Sequence, residues 1–193
     1  VVFLTQDAIL ADPQSLHQLI QSFEDPAIAA AYGRQLPHTD ATPLAAHARL
    51  FNYPNESRTS RLSDVPVRGI KACFISNSFA AYRVSALNEI GGFASDLILG
   101  EDMQLAARLI QAGHAIHYHA DALVYHSHNY SFSAEFSRYF DTGVFHAQQS
   151  SLLVGFGKAG REGLRFVWSE VRYLTQQAPW RLPEAVCRTV IKL

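Results

Sequence analysis

Three short segments carry residues whose types could do chemistry. Thr5-Gln6-Asp7 directly follows an apolar run. In open α/β folds, ligands gather at the carboxyl ends of strands. A carboxylate there can hold a hard cation, which can in turn hold phosphates; it can equally cap a turn or a helix. Gly100-Glu101-Asp102 opens a helical stretch. The glycine lets the backbone turn tightly, and the two acids then sit at the positive end of the helix dipole. Such acids are common first-turn residues, and a carboxylate in that place can also act as a general base toward an attacking hydroxyl. His126-Ser127-His128-Asn129 follows a short apolar run. On an extended segment, residues two apart face the same way. His126 and His128 can therefore point at one site, and imidazole is a common metal ligand. His117 and His119 form a second pair, with no acid next to them, and read as surface or hydrogen-bonded histidines.

The elements that must position these residues follow from periodicity and punctuation. Val1–Leu4 reads as a buried strand. Asp12-Pro13 predicts a helix start, with the acid as cap and the proline at the first helical position. Leu16, Leu19, Ile20 and Phe23 follow at helical spacing. Ala27–Tyr32 reads as a strand ending at Gly33, and a short helix is expected near Leu44–Tyr53. Pro54 to Pro66 reads as a long loop. Phe74–Tyr82 is expected to be a strand, and Ser85–Ile90 a short helix closed by Gly91-Gly92. Glu101–Ala112 is a predicted helix stopped by Gly113. Ile116–His119 and Ala122–His126 read as two short strands, and Ser133–Gln149 as an aromatic-rich helix. Strands alternating with helices predict the α/β class.

Composition narrows the class. With 193 residues, 48% apolar and 17% charged, the chain can bury a real core and is not disordered. The formal net charge of −1 supplies no basic field for nucleic acid. Cys73 and Cys187 alone make no disulfide framework and no metal knuckle, so a reducing, cytoplasmic compartment fits. The only methionine is Met103, and the chain opens inside an apolar run, so we expect a segment to precede Val1. From Lys158 onward the chain reads as helical and basic, carrying +4 against −5 for the residues before it. There Leu164, Val167, Trp168, Val171 and Leu174 recur at helical spacing. Such a stripe can lie peripherally on the inner face of a membrane, or pack on the rest of the chain or on a second subunit of an oligomer.

None of the three chemical segments is specific alone, but their order is telling: His126 follows Asp102 by 24 positions. Around them stand Phe74 to Arg83 (Phe-Ile-Ser-Asn-Ser-Phe-Ala-Ala-Tyr-Arg), Ile90-Gly91-Gly92-Phe93, Tyr125 to Ser131 (Tyr-His-Ser-His-Asn-Tyr-Ser), and Arg138 to His146 (Arg-Tyr-Phe-Asp-Thr-Gly-Val-Phe-His). With these motifs the chain resembles the bacterial rhamnosyltransferases of glycosyltransferase family 2, from about Val1 to His146.

The resemblance implies a GT-A fold, of which this chain holds the later part. Residues 1–150 would form the acceptor side and the metal site, and 151–193 a helical basic extension. The nucleotide-binding half would precede Val1. It implies inverting transfer of a sugar, rhamnose from dTDP-rhamnose, onto a glycan or lipid-linked acceptor of a cell-surface polysaccharide. Asp7 would match the last Asp of the family's DxD motif and would hold Mg²⁺ or Mn²⁺ together with His126; Thr5 stands where that motif has its first Asp. Asp102 would be the base, paired with Glu101. Ser76, Asn77, Ser78, Gly100 and His128 would line the substrate pocket. Two other readings stand beside this one. A zinc site could be built from His117, His119, His126 and His128, or the fold could serve as a non-catalytic binding module, for which Thr5 in place of an acid would be a sign.

Overall fold

The computed structural model describes residues 1–157 and 160–192. The predicted tail start at Lys158 lies outside the described residues.

In chain order the elements are β1 (Val2–Leu4), β2 (Ile9–Leu10), α1 (Ser15–Gln21), β3 (Ile28–Leu36), α2 (Pro43–Asn52), β4 (Arg58–Ser60) and α3 (Val65–Arg68). They continue with β5 (Phe79–Tyr82), α4 (Val84–Glu89), α5 (Glu101–Gln111), β6 (Ala115–Tyr125), α6 (Phe132–Gln148), α7 (Ser150–Leu153), α8 (Gly160–Gln177) and α9 (Leu182–Ile191). Single turns of 3-10 helix fill several of the connections.

The strands form one mixed sheet in the order β1-β5-β3-β6-β2, with β4 also paired to β6. β1 and β3 each run antiparallel to β5, and β3 runs parallel to β6. It follows that β1, β3 and β6 all point the same way, and their carboxyl ends share one edge of the sheet. β3 is the central strand. Residues 28–33 are buried without alternation, as expected where both faces of a strand are covered. One face packs under α1 through Leu19, Ile28, Ala31, Phe79, Ala81 and Val124. The other packs under α5 through Tyr32, Tyr82, Leu105, Leu109, Ile110 and Ile116.

Three local expectations shift for identifiable reasons. The helix expected at Asp12 starts at Ser15, because the Asp12 carboxylate accepts from the Gln14 amide in a turn that precedes the helix. The strand expected over Phe74–Tyr82 begins only at Phe79; before it, the Ser76 and Ser78 hydroxyls and the Asn77 amide spend their hydrogen bonds on the site. The two short strands expected over 116–126 are one strand, β6, with a bulge. His119 pairs with Gly33 and Leu123 with Arg34, so residues 120–122 are extra. A Cβ at Gly33 would run into the Ala122 carbonyl and the Phe79 ring, so glycine is required beside that bulge. The long loop expected from Pro54 to Pro66 carries β4 and the start of α3.

The C-terminal helices close over α2 and α6. Leu44 of α2 meets Leu174, Ala178 and Ala185 in a small core of its own. On α8 the inward face runs through Phe166, Glu170, Tyr173 and Leu174, displaced from the stripe expected from the sequence. Leu174 is buried, whereas Leu164 and Trp168 stay exposed. Most of the tail's positive charge is paired: Arg165 with Glu162, Arg181 with Glu184, and Arg188 and Lys192 with Glu135 of α6.

Candidate active site and metal centre

The shared carboxyl edge of β1, β3 and β6 brings the chemical segments together. Beyond β1, Thr5-Gln6-Asp7 turns sharply, with the Ala8 amide bonded to the Thr5 carbonyl. The Thr5 amide donates to the Ser78 carbonyl, which ties this turn to the 76–78 segment. Beyond β6 the parallel ladder gains one more bond, from the His126 amide to the Leu36 carbonyl. That bond fixes where the His126 ring leaves the sheet.

Here Asp7, His126 and His128 converge. The His126 Nε2 lies 3.4 Å and the His128 Nε2 3.6 Å from Asp7 Oδ2. One ligand atom from each residue falls within 4.8 Å of the other two, and among the described residues no other group of three such side chains does so. The site's protonation states suit a cation. Asp7 is held below the ordinary carboxyl range, first by the nearby Thr5 hydroxyl and then by the two imidazoles, against the effect of burial. The Thr5 Oγ1 is buried and makes no hydrogen bond of normal geometry, so it acts on Asp7 as a neighbouring dipole. Burial, helped by the neighbouring His128, pushes His126 down to about 4. Burial also lowers His128, although the Asp7 carboxylate pulls it back. An ionised carboxylate and two neutral imidazoles all present lone pairs at neutral pH. Two nitrogens and one oxygen suit Mn²⁺ better than Mg²⁺, which favours oxygen ligands.

The second half of the site is the start of α5. Gly100 takes the left-handed conformation, φ 82°, and the Glu101 and Asp102 carboxylates follow in the first turn. Asp102 accepts from the Met103 amide at 2.7 Å and from the Asn77 amide at 3.2 Å. The Asn77 side chain donates to Glu101 and accepts from the Tyr82 hydroxyl. Despite the two amides, burial and then the Glu101 charge push the Asp102 carboxyl up to about 6. The segment Ser76-Asn77-Ser78 thus joins both halves: Asn77 holds the α5 acids, and the Ser78 hydroxyl lies 3.4 Å from His126 Nε2. A cavity of about 310 Å³ opens beside it, lined by Phe3, Leu4, Thr5, Asn77, Phe93 and Glu101.

His117 and His119 lie elsewhere. Their rings engage Thr59 and Ser22, so they do not join His126 and His128 around one ion. His128, placed by resemblance in the substrate pocket, stands beside Asp7 with the candidate ligands. Sequence reasoning missed Gln35, because the strand carrying it was expected to end at Gly33. It also missed Arg49, whose guanidinium bonds Gln35. A polar residue two positions beyond Gly33, in step with the strand's alternation, was the available signal.

Comparison with known proteins places this geometry. The model of the glycosyltransferase like family 2 matches residues 1–140, and the chain belongs to that family. It is 53% identical to the O-antigen chain rhamnosyltransferase RfbN of Salmonella typhimurium and 53% identical to the O-antigen chain rhamnosyltransferase WbaN of Salmonella anatum. Each of these alignments takes in 100% of the chain and 61% of the relative, so the chain spans about three-fifths of their length. Among solved structures, the mannosyltransferase PcManGT of Pyrobaculum calidifontis, in complex with GDP-Man and Mn²⁺, aligns over 97% of this chain and 48% of its own, with a TM-score of 0.55 and 18% identity. That likeness shows the fold: a GT-A-like mixed sheet flanked by helices.

Proposed function

We propose that this chain forms the acceptor side and metal centre of an inverting glycosyltransferase, which moves rhamnose from dTDP-rhamnose to a glycan or lipid-linked acceptor in O-antigen synthesis. The observation that carries the reading is the joining of two unlike sites by Ser76-Asn77-Ser78. On one side stand three cation ligands, and on the other a carboxylate poised near neutrality. The names of the relatives support the sugar and the polymer, and the Mn²⁺ and GDP-Man of the archaeal neighbour support a metal and a nucleotide-sugar donor.

In this reading Asp7, His126 and His128 would hold Mn²⁺, with the His128 imidazole supplying a ligand that Thr5 does not. A cation held there would supply Lewis-acid stabilisation of the charge on the departing nucleotide diphosphate. Asp102 takes the proton from the acceptor hydroxyl. The hydroxyl oxygen then bonds to the anomeric carbon as the bond to the diphosphate oxygen breaks on the opposite face, and the configuration inverts. Asn77 keeps Asp102 aimed while Glu101 raises its proton affinity, which matches a base to neutral pH. The cavity beside Asn77 and Glu101, walled by Phe3 and Phe93, gives the acceptor a partly apolar bed.

The test is Asp102→Asn in the full-length protein, which removes the base and keeps its size. Donor binding should persist while transfer falls by about 10²–10⁴-fold, the usual worth of a positioned base. Transfer near the wild-type rate would move the role away from Asp102.

A further inference from the structure

Gln35 is 1% exposed at the end of the central strand, where an amide is costly unless all its groups are bonded. All of them are. Its Oε1 accepts from Arg49 Nη1 and lies 2.9 Å from His126 Nδ1, and its Nε2 donates to Ser76 Oγ at 3.0 Å. The orientation of the amide is decided by Arg49. A guanidinium can only donate, so the atom facing it must be the oxygen. The same oxygen faces His126 Nδ1 and has no hydrogen to offer, so Nδ1 must carry the proton. In a neutral imidazole the lone pair is then on Nε2, the atom that faces Asp7 and Ser78.

The remaining hydroxyls complete the pattern. Ser76 Oγ donates to Ser78 Oγ at 3.2 Å, which leaves the Ser78 proton free to point at His126 Nε2. The result is a closed ring in which every member donates once in the same direction: His126 Nδ1 to Gln35, Gln35 to Ser76, Ser76 to Ser78, and Ser78 back to His126 Nε2. Arg49 stands outside the ring and sets its sense of travel.

We propose that Gln35 and Arg49 are positioning residues that hold His126 in the Nδ1–H tautomer, so that Nε2 is always presented as a ligand. The consequence for a cation rests on the metal reading above. A cation at Nε2 would need to displace only the Ser78 proton, leaving the bonds among His126 Nδ1, Gln35, Ser76 and Ser78 in place. Among the described residues no carboxylate contacts Nδ1; an amide oxygen polarised by Arg49 does the orienting that a carboxylate or carbonyl does at many metal histidines.

The test uses the full-length protein with ¹⁵N-labelled histidine. Long-range ¹⁵N NMR without metal reads the tautomer, and Mn²⁺ titration followed by EPR reads affinity. Wild type should show His126 as Nδ1–H. Gln35→Met should shift it toward Nε2–H and weaken Mn²⁺ by about 10–100-fold, while Gln35→Glu, which keeps an acceptor facing both Arg49 and Nδ1, should retain both properties. Arg49→Met, at a half-buried and more forgiving position, should give a tautomer mixture even if Gln35→Met fails to fold. A wild-type His126 in the Nε2–H form, or an unchanged tautomer in both Met variants, would overturn the proposal. An Nδ1–H tautomer that responds to the variants in a protein that binds no Mn²⁺ would uphold the ring and bring down only the metal reading.

Discussion

At the scale of residues, Asp102, as the proposed base, would couple chemistry to stability. Its carboxyl titrates near 6 in the folded chain and near 3.8 when unfolded, so the folded state holds its proton more tightly. The stability this lends is complete below about pH 3.8 and is lost as pH rises through about 6, because the buried carboxylate must then ionise. Transfer should have the opposite dependence, declining as pH drops through about 6 because the protonated acid is no base. Asp102→Asn removes the ionisation altogether. Its effect on stability should be more favourable at pH 8 than at pH 5, with the difference bounded at about 3 kcal/mol by the gap between the folded and unfolded carboxyl. Calorimetry at the two pH values checks the difference; an equal effect at both would mean that Asp102 ionises freely.

At the scale of elements, the start of α5 is the most exacting piece of backbone at the site. Gly100 lies at φ 82°, and a Cβ there would come within 2.8 Å of the Phe145 ring, which belongs to the core. Gly100→Ala therefore meets both a left-handed backbone and a clash, at a cost of about 1–3 kcal/mol. Because the first turn of α5 must move to relieve the clash, transfer should fall more steeply than stability. Urea unfolding and initial rates on the same preparation check this, and unimpaired transfer would show that the acids tolerate displacement. By contrast α2 and α6 start on ordinary caps. The Thr42 hydroxyl accepts from the Ala45 amide and the Ser131 hydroxyl from the Ala134 amide, so each helix start is specified locally.

At the scale of the whole molecule, the C-terminal helices are tied to the site. Arg188 of α9 pairs with Glu135 of α6, both nearly buried, and donates to the Tyr130 carbonyl at 2.9 Å, two residues beyond His128. The Tyr130 ring in turn lies against the His128 ring, centroids 5.0 Å apart. Removing one partner of a buried pair leaves the other charge uncompensated. Lys192 remains beside Glu135 at 3.0 Å and softens that loss. Arg188→Met should cost about 3 kcal/mol in urea unfolding. It should also weaken Mn²⁺ binding, because the segment carrying His128 loses an anchor. Unchanged metal affinity in a destabilised variant would confine Arg188 to holding the helices together.

Much of this arrangement was legible in the sequence. Punctuation and periodicity act over a few residues, and so the strands opening at Val1 and Ala27 and the helices near 44–53, 101–112 and 133–149 were readable from apolar runs and turn residues, whereas β2 and β4, too short to show a period, were not. The order of Asp7, Glu101-Asp102 and His126, together with the motifs from Phe74 to Arg83, Ile90 to Phe93, Tyr125 to Ser131 and Arg138 to His146, pointed to the family, because a fold that places ligands at strand ends leaves its chemical residues in a recognisable sequence. What only the tertiary structure decided depends on residues distant in the chain. Gln35 meets His126 across 91 positions. Asn77 meets Asp102 across 25. The bulge that makes 115–125 one strand exists only because β3 lies beside it. Local sequence cannot encode the burial that pushes Asp102 up and His126 down, nor the choice of which imidazole nitrogen bears the proton. Those follow from which groups surround a side chain after folding, and here the tertiary arrangement puts the Gln35 amide and the Ser78 hydroxyl against His126, with Arg49 and Ser76 bonded behind them.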